Sequence, residues 1–389
     1  MNTKFAKIFE PITFPNGVTL DSRFAMGPMV IVGSEKGGAI GQDDLTYWHR
    51  HNNSASLLIT GATAVSEYSD AYGNGLGLYK DDQVEGWKEL AKVMKAEGNR
   101  AVVQLFHAGY RSSFTYKDKG VAYSASTKTY SFLDYPVTGL TEAQIEEVLN
   151  DFAAAAKRAI DAGFDGVEIH GANRYLIHQF FSVVSNERTD KWGGSLENRA
   201  RFALEVVKRV KAVIKEHAKP DFLLGYRISP EEIHRHGDGF TFDEALYLID
   251  EVATLGVDYI NTSQSGPRSF AATPKAGNYQ GQAINKVIKE RLAGRALLLG
   301  AGDLTSPDKI LEAVTDYVDV AATATMVLLD PDTKEKIYQG REDEVTLEVK
   351  EDRLADLCLP KLFYSIAPLI VTSQFVPQIT KDLLYKKPE

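Results

Sequence analysis

Three side chains within six positions could act together on one small molecule: His170, Asn173 and Tyr175. Residues 166–169, Gly-Val-Glu-Ile, read as a short buried strand, so His170 stands where that strand stops. An imidazole and a carboxamide can each donate a hydrogen bond to a carbonyl or nitro oxygen. Such bonds polarise a conjugated double bond and stabilise the negative charge that develops on it. A phenol with an ordinary pKa near ~10 keeps its proton at neutral pH and can deliver it to carbon. On spacing alone, the same cluster fits a satisfied loop network equally well.

The elements that must position these groups follow from the rest of the chain. Strand-like runs fall at 24–29, 56–60, 101–106, 166–169, 222–228, 258–262, 296–299 and 318–322. Helical patterns alternate with them near 42–53, 82–97, 142–162, 197–216, 242–255, 282–293, 307–315 and 332–339. Thr141-x-x-Gln144 and Thr241-x-x-Glu244 have the form of capping boxes, and Ser306-Pro307 puts proline at a first helical position. Gly98, Gly163 and Gly256 fall where left-handed helix ends are expected. Asp165, Asp258 and Asp319 recur in a weak repeat of helix end, aspartate, strand. Eight β/α units in one alternation predict a single (β/α)₈ TIM barrel of the α/β class, with an open doubly wound sheet as the other reading. Asn16-Gly17 between apolar runs predicts a hairpin at the N-terminus. The barrel spans 1–340, and 341–389 reads as a C-terminal helical extension packed on the barrel or on a neighbour in a homo-oligomer. Nothing in that extension suggests chemistry.

Composition narrows the classes. The chain has 389 residues, 44% hydrophobic and 25% charged, enough for a large core. A net charge of −9 argues against nucleic acid and anionic membrane surfaces as partners. No apolar run approaches the ~20 residues of a membrane span, and the start lacks the apolar stretch of a signal peptide. The expected compartment is the cytoplasm. One cysteine, Cys358, permits neither a disulfide nor a multi-cysteine metal site, so no metal is expected.

Beyond Tyr175 runs Ser185-Asn186-Glu187-Arg188-Thr189-Asp190-Lys191-Trp192-Gly193-Gly194-Ser195-Leu196-Glu197-Asn198-Arg199. Together with His170-x-x-Asn173-x-Tyr175 it resembles the signature of the Old Yellow Enzyme family, the FMN-dependent ene-reductases. The resemblance extends from about residue 5 to about residue 335. It implies the barrel, with the hairpin closing its floor and FMN lying across its mouth. It further implies hydride passing from NADH or NADPH, bound transiently, through FMN to an electron-poor C=C of an enone, enal or nitroalkene. Tyr175 would be the proton donor, and His170 with Asn173 would bind the activating oxygen.

The family's flavin positions fall on Pro28, Met29, Val30, Ala62, Gln104, Arg227, Gly300, Ala301, Gly302, Ala324 and Thr325. Gln104 is polar inside an apolar strand and can pair with the N3–H/C4=O edge of a flavin. Arg227 ends its strand as a permanent cation able to stabilise charge near N1 and C2=O. His107 could line the mouth, whereas His178 reads as structural. Two positions depart from the family. Val30 stands where Thr or Cys often bonds to flavin O4, which predicts a lower potential. Ala324-Thr325 stands where Gly-Arg usually grips the phosphate, leaving backbone N–H groups and the Thr325 hydroxyl for the anion. The single cysteine excludes the iron–sulfur branch of related barrels. Gly73-Asn74-Gly75-Leu76-Gly77 is no dinucleotide fingerprint and reads as loop. The altered phosphate grip leaves one competitor, a barrel that binds flavin or a phosphorylated ligand with little or no turnover. A lyase or isomerase would need a catalytic Lys or Glu that the sequence does not place.

Overall fold

The computed structural model describes residues 2–233, 238–372 and 374–386. Among them, eight parallel strands close into a ring: β1 Phe24–Met26, β2 Leu57–Ile59, β3 Arg100–Phe106, β4 Gly166–Gly171, β5 Leu223–Ile228, β6 Tyr259–Thr262, β7 Leu297–Gly300 and β8 Val320–Thr323. β8 pairs with β1, and β2 with β3, so the sheet has no open edge. The helices that return the chain are α1 Gln42–His51, α2 Val84–Met94, α3 Glu142–Asp161, α4 Leu196–His217, α5 Phe242–Thr254, α6 Ile284–Leu292, α7 Pro307–Asp316 and α8 Thr333–Gln339. This is the TIM barrel the alternation predicts.

The local signals act as expected. Thr141 caps α3 reciprocally with Gln144, and Thr241 caps α5 with Glu244. The recurring aspartates have a structural task. Asp165 accepts from the Ala101 N–H at 2.9 Å, Asp258 from Leu224 at 2.8 Å and Asp319 from Leu298 at 2.9 Å. Each one ties the N-terminal end of one barrel strand to the next, satisfying a donor where the ladder begins.

Ile12–Thr13 and Thr19–Leu20 pair antiparallel, and the turn passes through Gly17 at φ 91°. Phe14, Val18 and Leu20 enter one apolar cluster with Leu57, Val102, Leu223, Leu299 and Val320 from inside the barrel. The hairpin therefore seals the floor, and the opposite rim is left for function.

The C-terminal segment folds back on this chain. Arg50 of α1 makes a bidentate bond to Asp332, with both distances 2.8 Å, and a third to Asp356 at 3.0 Å. Val349, Leu357, Phe363 and Val376 join the main core. No helix among the described residues is long and apolar enough to cross a membrane.

Candidate active site

At the C-terminal ends of the strands lies a cavity of about 590 Å³, a size that suits a cofactor or drug-sized ligand. Its wall includes Pro28, Met29, Val30, Ala62, Gln104, His170, Asn173, Tyr175, Arg227, Ala301, Gly302, Ala324 and Thr325. Gly300 is the exception. It is the last residue of β7, paired with Thr262 and Ala321, and a Cβ there would collide with Val318. Its missing side chain serves packing between sheet and helix layer, so its place is the scaffold and not the cavity wall. Gly302, at φ 124°, does reach the wall, and any Cβ would strike Ser269.

Backbone geometry explains how Pro28 to Val30 arrive there. The sequence suggests a strand over 24–29, but the ladder ends at Met26. Gly27 still donates to Thr323 at 2.9 Å. Pro28 has no N–H to continue, and the chain leaves the sheet. β4 does the opposite. It runs on through Gly171, with His170 opposite Arg227, so the imidazole sits on a rigid strand.

His170 is buried, and its Nδ1 accepts the Ala172 N–H at 3.2 Å. The ring proton of the neutral form therefore sits on Nε2, free to be donated. Burial, then the positive charge of Arg227, hold the imidazole's pKa well below its ordinary value, so it is neutral across the physiological range.

Asn173 and Arg174 are both left-handed at φ 58°, a strained arrangement for two non-glycine residues. Three bonds hold Asn173. Its N–H donates to Ser229 at 3.0 Å, its carbonyl accepts from Arg111 at 3.0 Å, and its Oδ1 accepts from Ser263 at 2.8 Å. With Oδ1 occupied, the amide NH₂ is the group left to donate.

Tyr175 meets His170 edge to face, ring centroids 4.9 Å apart, and Phe106 likewise at 5.0 Å. Ala62, Ala64, Phe106 and Ala108 surround it in a small apolar cluster. Its hydroxyl shares a 2.6 Å hydrogen bond with that of Tyr72, and the Arg111 guanidinium lies 5.3 Å from its ring.

Gln104 donates Nε2–H to Glu168 at 2.6 Å, which fixes the carboxamide and leaves its oxygen free to accept. Arg227 is buried, touches Ser263 through Nη2 at 3.1 Å, and leaves its Nε without a hydrogen-bond partner. A buried, incompletely bonded cation beside an oriented carboxamide matches the polar edge of a flavin.

Among the described residues of the cavity wall, Arg227 is the one permanent cation. Lys309 is bonded to Asp303 and Thr305, both at 2.9 Å, and Arg268 is paired with Glu312. The wall there is neutral at Ala301, Gly302 and Thr325, and the Asp303 carboxylate beside them is held by Lys309.

Several wall residues escape the sequence reading. Tyr72, Gln264, Gly266, Pro267 and Asp303–Thr305 line the cavity, as do Leu369, Thr372, Gln374 and Phe375 of the C-terminal segment. The extension, in which nothing suggests chemistry by sequence, thus contributes to the cavity wall. Its apolar run carries no polar signal, and only the tertiary path brings it to the mouth. His107, by contrast, is enclosed, with Nδ1 accepting from Gly109 at 3.1 Å, and is not on the wall. His178 pairs with Glu232 at 3.1 Å away from the wall.

Residues 7–344 match the model of the NADH:flavin oxidoreductase / NADH oxidase family. The chain belongs to this family. It is 38% identical over 388 residues to an uncharacterized oxidoreductase of Streptococcus pyogenes, covering 98% of this chain and 97% of that one. It is 33% identical over 377 residues to a probable NADH-dependent flavin oxidoreductase of Bacillus subtilis, covering 97% and 99%. Among solved structures, morphinone reductase superposes with a TM-score of 0.73 at 25% identity, over 90% of this chain and 92% of that chain. The protein is an NAD(P)H-dependent flavin oxidoreductase of the Old Yellow Enzyme type, with FMN as cofactor.

The phosphate end gives the first prediction. Thr325→Arg should tighten FMN binding roughly 10–100-fold, the worth of one or two charge-assisted bonds. Quenching of flavin fluorescence on titrating apoprotein measures this, and an unchanged Kd would place the phosphate elsewhere.

Proposed function

We propose that the enzyme reduces the electron-poor C=C of small enones, enals or nitroalkenes, with Tyr175 as proton donor and His170 and Asn173 binding the activating oxygen. The observation that carries this is the edge-to-face contact of His170 and Tyr175 on one cavity wall with Asn173. Two groups there are left with a proton to donate to an oxygen, and the third holds an acidic one.

FMN, when bound, supplies hydride transfer between NAD(P)H and the carbon β to the activating group. Gln104, Arg227 and residues 28–30 would hold its ring, while Ala301, Gly302, Ala324 and Thr325 would meet its phosphate. His170 and Asn173 draw electron density toward the substrate oxygen as preorganised donors. Tyr175 then gives its proton to the α carbon, and Tyr72, in hydrogen-bond contact and half-buried, holds the phenol in line.

Relatives named for acrylate and fumarate reduction share little of their length with this chain, 32% and 40% respectively. The donors on the cavity wall, His170 and Asn173, carry the substrate class. The test is anaerobic: NADH should bleach the band near about 450 nm that bound FMN confers, and cyclohexenone should restore it. Bleaching that only oxygen reverses would overturn the ene-reductase reading.

Val30 lines the wall and offers no hydroxyl. Val30→Thr should raise the flavin potential by roughly 10–30 mV, one ordinary hydrogen bond spread over two electrons. Dye-equilibration titration gives the value, and no shift would separate residue 30 from flavin O4.

A further inference from the structure

Interiors of (β/α)₈ barrels are packed with branched apolar side chains. The lower part of this one follows the rule, with Leu57, Val102, Leu223, Leu299 and Val320 meeting the hairpin. One layer nearer the mouth the filling turns polar. Gln104 lies opposite Glu168, Glu168 opposite Gly225, and Gly225 opposite Tyr259 in one row around the ring. Gly225 is there because a Cβ would strike the Tyr259 ring. Glu168 is wholly buried, and both of its oxygens accept hydrogen bonds, Oε1 from Gln104 at 2.6 Å and Oε2 from Asn261 at 2.8 Å. Two residues further along β5 stands the buried Arg227.

A buried carboxylate costs several kcal/mol of desolvation unless charge and donors compensate it, so its retention in a barrel core calls for a reason. Packing alone is served better by leucine. We infer that Glu168 is a positioning residue that sets the reduction potential of the flavin, by fixing the Gln104 carboxamide oxygen-outward and by offsetting the charge of Arg227. This rests on the placement of Gln104 and Arg227 against FMN proposed above.

The charge logic has a definite sign. An ionised Glu168 weakens the pull of Arg227 on the electrons that arrive with hydride from NAD(P)H, and so lowers the potential. Added negative charge on the far side of Arg227 makes the carboxyl bind a proton more tightly, taken from solvent, so reduction and protonation are coupled. Among the described residues the charged or titratable groups facing it are Arg227 from β5 and Tyr259 from β6, while Gln104 and Asn261 add neutral donors. Burial raises the pKa of Glu168, and Arg227 and the donors oppose that rise. Tyr259 is pushed well above the phenol range by burial and stays protonated.

The experiment measures the midpoint potential of the holoenzyme across roughly pH 6 to 8.5. Glu168→Gln is expected to shift the reduced-to-oxidised ratio at least tenfold toward reduced, about 30 mV for a two-electron couple, and to flatten the pH dependence. Glu168→Asp should restore part of that dependence. A Glu168→Gln enzyme with altered melting or FMN affinity but the parent potential and pH slope overturns the inference. Should that variant fail to take up FMN, Asn261→Leu replaces it. Asn261 Oδ1 is buried without a partner, so leucine removes one donor to Glu168 and one unsatisfied acceptor together. A smaller shift of the same sign is expected, and none overturns the inference. Gln104→Leu, run in parallel, separates the levels. If it moves the potential while the Glu168 variants do not, only the role of Glu168 falls. If none of them does, the placement of Gln104 on the flavin falls with it.

Discussion

Tyr175→Phe should leave bleaching by NADH within about twofold of the parent rate and slow reoxidation by cyclohexenone by ~10²–10⁴, the usual worth of a positioned acid. The substitution is close to a pure test of the proton. Phenylalanine keeps the ring that packs on Phe106 and His170, and the surrounding apolar cluster loses no partner. What goes is one hydroxyl and its 2.6 Å bond to Tyr72. Tyr72 does not lose its place, because its backbone N–H is held by Asp70 at 2.8 Å. Burial and the neighbouring Tyr175 raise the pKa of Tyr72 well above the phenol range, so it is not itself a ready acid. Rapid mixing of the prereduced variant with enone reads the step directly. If the two half-reactions slow together, Tyr175 shapes the cavity and another group supplies the proton.

Most of the fold was legible because its signals are local. β-branched runs, capping boxes and the glycines at φ 83°, 83° and 79° after helices (Gly98, Gly163 and Gly256) are consequences of nearby sterics and hydrogen bonds. The aspartate repeat was visible too, although its task of tying neighbouring strands emerges only when the barrel closes. The polar residues of the site were legible where a strand periodicity is interrupted, at Gln104, His170 and Arg227. Gly300 misleads for a physical reason: a glycine at a strand end serves close packing as readily as ligand approach, and sequence does not say which way the absent Cβ would point. Glu168 carries no signal of its own in the strand, since whether a carboxylate faces core or solvent depends on register with β3 and β5. Tyr72, Leu369, Thr372, Gln374 and Phe375 reach the cavity through long-range chain paths that no local pattern encodes. Val30 and Thr325, the two departures from the family, both stand on the wall, and among the described wall residues Arg227 is the one arginine.

Removing the two donors proposed to bind the substrate oxygen should have the other large effect. His170→Ala and Asn173→Gly are each expected to lower kcat/KM for cyclohexenone by ~10²–10³, the loss typical of one preorganised donor to a developing oxyanion. Glycine is chosen at 173 because the position is left-handed at φ 58°, where alanine would add backbone strain to the loss of the amide. The two donors are organised differently, and the variants should show it. His170 is set by its strand and by one bond from the Ala172 N–H, so its loss leaves the loop intact. Asn173 Oδ1 accepts from Ser263, whose hydroxyl also receives the Arg227 guanidinium, so its loss reaches the flavin side of the wall. Asn173→Gly should therefore perturb the visible spectrum of bound FMN as well as the enone step, whereas His170→Ala should change the enone step alone. On the proposal that both donors serve a single oxygen, the double variant should lose less than the product of the two. Full multiplicative loss would mean that they act on separate atoms, and enone rates within about threefold of the parent in both single variants would remove the oxyanion role from this wall.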